Sequence, residues 1–293
     1  GSPDQNLFIL DDVPLYYNGH LGGFFSIFNA SAIKQVDFYK GAFPARYGGR
    51  LSSIIDMRMK QGSNKSFHGN VDVGLLSSKA LVEGPLSKDK ASFMLSGRRT
   101  YFELYMPYFS SLADTASGNY NFTDVNAKFS VDLNNRNRLL FSGYYGHDRS
   151  KSRAEAQQTD AFTQHAIKWG SRFASMRWNH EFGPRLFSNF TLAYSRYRME
   201  EDGIERDYHK PDSSEYDSTE VIPPPYYTKR VDGFYAGIDD ALFKADMEFY
   251  PNNSHRVELG VQAIHHHFIP GRSYLKGYTA DTLRLDSTYG AKV

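Results

Sequence analysis

The chain lacks several features, and each absence excludes a class of protein. Its 293 residues contain no cysteine, which excludes disulfides, thiol catalysis and cysteine-based zinc sites. No run of about 18 apolar residues occurs, so a transmembrane helix is not expected, although membrane strands remain possible. Basic and acidic residues nearly balance, at 34 against 33, and give no electrostatic signature of nucleic-acid binding. An initiator Met is missing and Gly1-Ser2 resembles residues left by cloning, so we expect a fragment.

Aromatic residues are abundant in a chain that is polar on average. It contains 21 Tyr and 22 Phe, with a mean hydropathy of −0.55. A water-soluble protein buries such side chains, whereas a transmembrane barrel displays them outward at every second position. From Phe67 onward the two-residue period is strong, as in residues 123–133, 241–249 and 256–263, where apolar and polar residues alternate. This alternation predicts half-buried strands with one wet face.

Nine such strands are predicted after residue 66, and their connections alternate in length. Short turns are expected near residues 87–90, 134–137, 183–185 and 251–254, and long polar loops over about 100–119, 148–167 and 201–232. Short turns at one end and long loops at the other are typical of outer-membrane barrels. The strands are predicted near residues 67–77, 79–86, 91–99, 120–133, 137–147, 168–182, 186–200, 233–250 and 255–269.

Aromatic residues near the turns favour a membrane interface. Phe182, Phe187, Phe249 and Tyr250 lie next to short turns, and a second group that includes Tyr145 and Tyr194 lies further along the apolar faces. Together they are consistent with two aromatic girdles, although any one of them alone fits ordinary strand packing.

The N-terminal region carries a more specific signal. Residues 36–55, VDFYKGAFPARYGGRLSSII, combine an apolar strand, a Lys-Gly-x-x-Pro turn, a Tyr-Gly-Gly corner and a returning strand. With their flanks, from Leu7 to Gly62, they resemble the C-terminal half of the plug domain of a TonB-dependent outer-membrane receptor of the Bacteroidota type. The resemblance implies a plug fragment over 3–62, a linker over 63–66 and the N-terminal portion of the barrel over 67–293. The expected fold is mainly β: a partial antiparallel transmembrane β-barrel with a small α/β plug fragment.

The same resemblance implies a transport function. Such receptors bind a scarce nutrient at the cell surface and import it into the periplasm, so the implied location is the bacterial outer membrane. The implied partners are the TonB complex, outer-membrane lipid, a possible surface lipoprotein lid, and a small-molecule, glycan or peptide ligand. No cofactor and no nucleic-acid partner are expected.

Two aromatic and basic segments are candidate ligand contacts. The glycine-rich loop at 16–25 resembles an apical plug loop, although its aromatic side chains could equally pack under a neighbouring element. A basic pair followed by an aromatic at 98–101 could meet an anionic or ring-containing ligand, but a structural role is the favoured alternative. The candidate ligand-binding residues are Tyr16, Tyr17, Asn18, His20, Phe24, Arg98, Arg99 and Tyr101.

Three basic residues of the N-terminal region are candidate contacts between plug and barrel. By resemblance, Lys40 occupies a position that pairs with carboxylates on the barrel wall, and the alternative is a solvated turn lysine. Arg46 and Arg50 flank the Tyr-Gly-Gly corner, and a guanidinium can hold a wall carboxylate in a bidentate manner.

Motifs for catalysis are missing. His265, His266 and His267 are adjacent, but successive strand residues point to opposite faces, so an exposed strand end is favoured over a metal site. No nucleophile elbow, P-loop or zinc-protease motif occurs, and adjacent carboxylates on a strand diverge. We therefore expect a protein that is not an enzyme. The rival interpretation is a soluble all-β ligand- or glycan-binding module, in which the apolar strand faces would pack against each other.

Overall fold

The structure is a computed structural model that describes residues 5–16, 19–23, 25–41, 43–50, 52–106, 108, 116–156, 161–210, 226–279 and 284–290. These residues form two main sheets and one short ladder. Helical structure is confined to brief segments, such as the 3-10 turns Leu21–Gly23 and Phe102–Leu104. Within the described ranges, no helix is both long enough and apolar enough to cross a bilayer.

The N-terminal residues form a four-stranded sheet, here called the small sheet. Its strands are β1 (Asn6–Leu10), β2 (Val13–Leu15), β5 (Ile33–Lys40) and β6 (Ser53–Met59), in the order β2-β1-β6-β5. β1 and β6 are parallel, and the other two pairs are antiparallel. The short strands β3 (Gly19–His20) and β4 (Phe25–Ser26) form a separate two-stranded ladder.

Residues 29–32 form a hydrogen-bonded turn without a helix. The backbone amide of Ala32 donates to the Asn29 carbonyl at 2.9 Å, and the Asn29 side chain accepts from the Ser31 amide at 3.1 Å. Asn29 thus caps this turn, because its side chain satisfies an amide that the turn leaves open.

The remaining strands form one antiparallel sheet of ten strands, here called the large sheet. Each strand pairs with its neighbours in the sequence, and β7 and β16 lie at the two edges, so the sheet is not closed. Four of its strands exceed 20 residues, and β14 with 27 residues extends about 90 Å. The strands are β7 (His68–Val73), β8 (Ser77–Ser87), β9 (Ala91–Thr100), β10 (Ala116–Asn134), β11 (Asn137–Glu155), β12 (Phe162–Gly183), β13 (Leu186–His209), β14 (Tyr226–Asn252), β15 (His255–Thr279) and β16 (Arg284–Gly290).

The mainly β fold and the antiparallel pairing confirm the prediction, and the four short turns lie where they were expected. The predicted long loops were wrong over much of their length, because residues 148–155, 162–167, 201–209 and 226–232 continue the strands. These residues are polar on both faces, which hides the alternation on which the prediction relied, yet their ladders stay in register. Strand β16 was also missed.

Burial on the two faces of the large sheet is reversed relative to a water-soluble sheet. Asp124 is 0% exposed and Lys128 is 4% exposed, whereas Val125 and Phe129, on the opposite face, are 37% and 42% exposed. We call the first side the polar face and the second the apolar face. The apolar face also presents Phe141, Met176, Leu192, Tyr194, Phe243, Leu259 and Val261, all exposed. Charged residues are therefore buried while large apolar residues remain open.

One part of the predicted aromatic girdle lies on the wrong face. Phe182, Phe249, Tyr145 and Tyr194 are exposed, as expected for a girdle on the apolar face. Phe187 and Tyr250 instead share the polar face, since they alternate with its residues along their strands, and their rings pack edge to face at 6.1 Å. Their proximity to a turn was read correctly, but the two-residue period fixes the face.

The main apolar core lies between the small sheet and the polar face of the large sheet. It joins residues of the small sheet with side chains from four strands of the large sheet, so the two sheets pack as one body. The members of this core are Leu10, Val13, Leu15, Ile27, Ala32, Met57, Met59, Leu81, Met94, Tyr144 and Phe173.

Candidate functional site

The tip of the β1–β2 hairpin is an acidic turn inserted against the polar face. Leu10 pairs with Val13, so Asp11 and Asp12 form a two-residue connection. Their φ angles are 49° and 69°. A tight hairpin of this kind requires positive φ at both central residues, a conformation that aspartate tolerates better than most side chains. The chain thereby places two adjacent carboxylates at one projecting point, here called the acidic tip.

Asp11 binds the centre of the polar face. Lys128 Nζ on β10 donates to Asp11 Oδ2 at 2.8 Å. Ser142 Oγ on β11 donates to the same oxygen at 2.7 Å, and the Met59 amide donates to the other oxygen at 3.2 Å. Both members of the ion pair are almost fully buried. All three of these partners are hydrogen-bond donors, and the one from Lys128 also carries a positive charge, so the Asp11 carboxylate acts as the acceptor in each contact.

Asp12 lies among three cations from both sheets. Arg58 of the small sheet donates to Asp12 Oδ1 at 2.9 Å, and Lys244 of β14 approaches the same oxygen at 3.2 Å. Arg177 of β12 also forms an ion pair with Asp12. Lys244 has a second carboxylate partner, Asp246, at 3.1 Å. The acidic tip thus bridges three strands of the large sheet through buried charge.

The segment after the hairpin makes a second contact with the polar face. Tyr16 Oη donates to Asp240 Oδ2 at 2.5 Å, and His266 Nδ1 lies 2.6 Å from the other oxygen of Asp240. Burial, reinforced by the hydrogen bond to Asp240, raises the pKa of Tyr16, so the phenol stays protonated and acts as the donor. Of the predicted histidine triplet, His266 therefore points toward the small sheet.

His20 makes the third contact, between two aspartates of the large sheet. Its Nδ1 lies 2.6 Å from Asp148 Oδ1 and its Nε2 lies 3.0 Å from Asp124 Oδ2, with all three side chains fully buried. The ring stacks on Phe122 at a centroid distance of 3.7 Å. Burial opposes the charged ring, but the two carboxylates outweigh it and raise the pKa of His20. A doubly protonated ring donates to both carboxylates.

Arg98 completes the His20 cluster. Its Nε and Nη2 donate to Asp124 Oδ2 at 2.9 Å and 2.6 Å, and Nη2 also donates to the Ser26 carbonyl at 2.6 Å. Tyr120 donates to Asp148 and accepts a hydrogen bond from the Leu21 amide at 2.6 Å. The loop from Gly19 to Ser26 is thus attached to the polar face at both of its ends.

An aromatic group surrounds this loop on the same face. Phe25 lies 6.4 Å from Phe102, which lies 6.2 Å from Tyr120, and Tyr120 lies 6.3 Å from Trp169, measured between ring centroids. Three of these rings come from the large sheet and the segment that follows β9. The loop therefore borders a surface suited to stacking against an apolar or ring-containing molecule.

The other candidate ligand residues lie in different surroundings. Arg99 is largely exposed and pairs with Glu103 at 2.7 Å. Tyr101 hydrogen bonds to the Gly74 carbonyl and lies 3.2 Å from Ser78 Oγ, so it holds the end of β8. Tyr17, Asn18 and Phe24 lie outside the described residues. Ligand binding by these positions stays a prediction.

The three basic residues predicted to contact the large sheet lie in other surroundings. Lys40 is exposed and forms no ion pair among the residues that the structure describes. Arg46 donates to Tyr39 Oη at 3.4 Å and lies over the Tyr47 ring at 5.0 Å. Arg50 donates to the Gly49 carbonyl at 2.8 Å. Their predicted pairing with wall carboxylates stays a prediction, and the described contacts of both arginines lie within the N-terminal region.

At the acidic tip, the charges that join the two sheets have the opposite sense to the predicted one, whereas His20 places a cation against carboxylates of the large sheet. Carboxylates come from the acidic tip, and cations come from Lys128, Arg177 and Lys244 of the large sheet. The candidate residues predicted from the sequence did not include Asp11 or Asp12. The sequence does contain a signal for the two lysines. Lys128 and Lys244 occupy polar positions of alternating strands, on the face that also carries aspartates and serines.

No known protein family has a sequence profile that matches this chain, and no curated protein is similar to it in sequence. Among solved structures, it is similar to a mutant of the ferric enterobactin receptor PfeA from Pseudomonas aeruginosa, with a TM-score of 0.47, 13% identity, and coverage of 94% of this chain and 52% of that chain. It is also similar to the siderophore receptor PirA from Acinetobacter baumannii, with a TM-score of 0.37, 10% identity, and coverage of 94% and 70%. The ferripyoverdine receptor of Pseudomonas aeruginosa is similar as well, with a TM-score of 0.38, 12% identity, and coverage of 93% of this chain and 48% of that chain. The chain spans about half the length of the PfeA chain.

Proposed function

We propose that this chain is part of a TonB-dependent outer-membrane receptor, which binds a scarce nutrient at the cell surface and imports it into the periplasm. The observation that carries the proposal is the reversed burial of the large sheet, with Asp124 and Lys128 buried and Val125 and Phe129 exposed. A face of exposed Phe, Leu, Val and Met is favourable against acyl chains and unfavourable in water. A polar face is what the inside of a transmembrane barrel presents.

In this proposal the small sheet is the obstruction inside the barrel. Residues 3–62 act as the plug fragment, 63–66 as the linker and 67–293 as the barrel portion. The described contacts between the sheets include Asp11 with Lys128, Tyr16 with Asp240 and His20 with Asp148. Ion pairs and hydrogen bonds of this kind can be exchanged for water when the obstruction moves, and a pull from the periplasmic TonB complex would supply the work.

The ligand is proposed to bind on the side of the small sheet where the loop from Gly19 to Ser26 meets the aromatic group. The long strands project beyond the roughly 30 Å of hydrocarbon that a bilayer offers, so their far ends would enclose that space above the lipid. In this proposal, the side of the small sheet that faces the ligand carries aromatic rings together with Tyr16, His20, Arg98 and Tyr101. A surface lipoprotein lid would cover the same opening.

The competing proposal is a soluble all-β binding module, which requires a different environment for the apolar face. Such a module must bury that face against a second layer. Across the described ranges, Phe129, Phe141, Leu192, Tyr194 and Phe243 are all at least 40% exposed. This observation favours the membrane proposal.

The membrane part of the proposal is tested by placing a charge on the apolar face. Phe243→Arg, in the middle of that face, should cost about 2–4 kcal/mol of insertion free energy and lower the amount recovered in the outer-membrane fraction. Thr163→Arg, at an exposed position near the far end of β12, adds the same charge and is the matched control. Equal recovery of both variants, or a monodisperse wild-type protein in buffer without detergent, would overturn the proposal.

The transport part needs a separate measurement. The molecule that co-purifies with the protein from its native membrane should be identified, and its uptake by intact cells measured with and without a protonophore. We expect surface binding to persist and uptake to stop when the proton gradient is removed. Uptake that continues without the gradient would contradict dependence on the TonB complex.

A further inference from the structure

The apolar face changes character at a definite level. Phe141, Met176, Leu192 and Phe243 lie side by side in the cross-strand register. Four residues along the strands in the direction away from the short turns, the corresponding row reads Tyr145, Arg172, Arg196 and Asp239. The same face that is apolar near the turns is therefore charged immediately beyond the apolar rows, and Tyr145 and Tyr194 mark the boundary.

Beyond this boundary, cations lie directly opposite each other. Arg172 pairs in register with Arg196, and Arg149 pairs with Lys168. Like charges directly opposite each other destabilise a sheet, unless a negative charge lies between them. These two pairs, with Arg198 on the row between them, form a basic surface, here called the basic patch, which consists of Arg149, Lys168, Arg172, Arg196 and Arg198.

Carboxylates of the chain neutralise one part of the basic patch. Asp239 accepts from Arg196 Nε at 2.8 Å and from Arg198 Nη2 at 2.6 Å, and Lys168 lies 3.6 Å from Glu200. Arg149 and Arg172 are exposed, and neither forms an ion pair within the described part of the chain. Two guanidinium groups thus face outward beside a carboxylate that already serves two arginines.

The basic patch surrounds a depression in the sheet surface. Gly170 lies opposite both His147 and Arg198, so the row between the two cation pairs carries no side chain at its centre. The resulting cavity measures about 320 Å³, and its lining includes Tyr145, Lys168, Arg172, Arg196, Arg198 and one carboxylate, Glu200. Arg149 lies next to this lining, opposite Lys168 in the register. The position of the cavity admits a compact anion between the guanidinium groups, which bind phosphate oxygens in a bidentate manner.

We infer that the basic patch binds the phosphate-bearing headgroup of a membrane lipid. The inference rests on the proposed function, because the apolar rows must face acyl chains for the patch to lie at headgroup level. A lipid satisfies both parts of the surface at once: its chains cover the rows of Phe141 and Leu192, and its phosphate neutralises Arg149 and Arg172. Basic residues near a membrane surface attract anionic headgroups, and tyrosines favour the same interface.

Lipid titration of the protein in nanodiscs tests this inference. The protein is purified from its native membrane with any flanking sequence retained, delipidated, and placed in phosphatidylcholine nanodiscs. Bisphosphorylated lipid A is then added, with dephosphorylated lipid A as the comparison. The double variant R149Q/R172Q should weaken binding of the phosphorylated lipid by about thirtyfold. The control R136Q/R256Q removes the same charge at the short-turn ends of the strands and should bind like the wild type.

Each other result overturns the inference in a distinct way. Equal weakening by R136Q/R256Q would show that net charge alone attracts the lipid. Competition by inorganic phosphate at the concentration of the lipid would identify a site for free anions. If the protein enters nanodiscs and R149Q/R172Q binds the lipid as the wild type does, the proposed lipid site is excluded and the proposed function still stands. If the wild-type protein does not enter nanodiscs, both the lipid site and the proposed function are excluded.

Discussion

Asp11 and Lys128, which lie 117 positions apart in the sequence, form an almost fully buried ion pair with Nζ 2.8 Å from Oδ2. Removal of one partner leaves a buried charge without compensation, which costs more than an intact pair contributes. The acidic tip is therefore the place where single substitutions should most strongly affect the attachment of the small sheet.

Lys128→Met should weaken that attachment by about 3–5 kcal/mol, because Asp11 would keep its hydrogen bonds from Ser142 and Met59 but lose its counter-charge. Hydrogen exchange at the amides of Asp11 and Met59, both bonded to groups of the small sheet, measures the opening free energy. Asp11→Leu combined with Lys128→Met should recover most of the loss.

The control for this experiment is an exposed pair of the same type. Arg99→Gln removes the surface pair with Glu103 and should change the opening free energy by about 0.5 kcal/mol or less. A loss from Lys128→Met no larger than this would contradict a structural role for the buried pair.

His20 should make the attachment of the loop from Gly19 to Ser26 dependent on pH. The groups that face its ring are Asp124 and Asp148, with Arg98, Tyr120 and Tyr144 bonded to those carboxylates. Because the pKa of His20 is raised in the folded protein, its contribution is fully present below about pH 6.5, the unfolded pKa, and is lost as the pH rises through the folded pKa.

Proteolysis of the loop measures this dependence. Cleavage between Gly19 and Ser26 should increase from pH 6 to pH 9 in the wild type. His20→Gln should cleave at a rate that is higher at pH 6 and nearly constant over the range. A wild-type rate that is flat, or that falls with pH, would exclude protonation of His20 as the cause.

Substitutions of Asp12 can separate the contribution of its charge to the opening free energy from the contribution of its backbone conformation. Asp12→Asn keeps a side chain that tolerates positive φ but removes the charge that faces Arg58, Arg177 and Lys244. Asp12→Ala removes the charge and adds about 1 kcal/mol of backbone strain. The opening free energy from hydrogen exchange should fall in the order wild type, Asn, Ala. Equal values for the two variants would show that the turn conformation is not strained.

Gly62, at the exit from the small sheet, should tolerate no side chain. Its φ is 82°, and an added Cβ would lie 2.2 Å from the Phe93 carbonyl oxygen of β9. Gly49 has nearly the same φ, 81°, with open space around it, so Gly49→Ala isolates the backbone strain of about 1 kcal/mol. Gly62→Ala should lower thermal stability by clearly more than Gly49→Ala. Equal effects would show that β9 moves aside freely.

The sequence predicts the architecture well where its alternation has an apolar member. Phe129 and Phe243, each flanked by polar residues, identify the strands and their faces correctly. The prediction stops at residues such as Arg149, which lies in a strand segment with polar side chains on both faces. There, pairing depends on backbone register alone, which composition does not reveal.

The candidate site was harder to predict, because its contacts join residues far apart in the chain. His20 was identified as important, but its partners Asp124 and Asp148 lie more than 100 positions away. Asp11 and Asp12 were not among the predicted site residues, because a two-residue hairpin and a strand terminus share the same residue types. A resemblance can indicate that a plug meets a wall without indicating which side carries the carboxylates.

The charges around the acidic tip also bear on what could pass along the wall. If the tip withdrew, Lys128 and Arg177 would lose their nearest carboxylates, whereas Lys244 would retain Asp246. The vacated route would then be lined by two uncompensated positive charges, and a narrow passage lined by charge of one sign concentrates oppositely charged ions. Under the proposed transport function, a negatively charged cargo would be attracted along that route and a positively charged one repelled, so the ion pairs that hold the small sheet in place would also select cargo by charge.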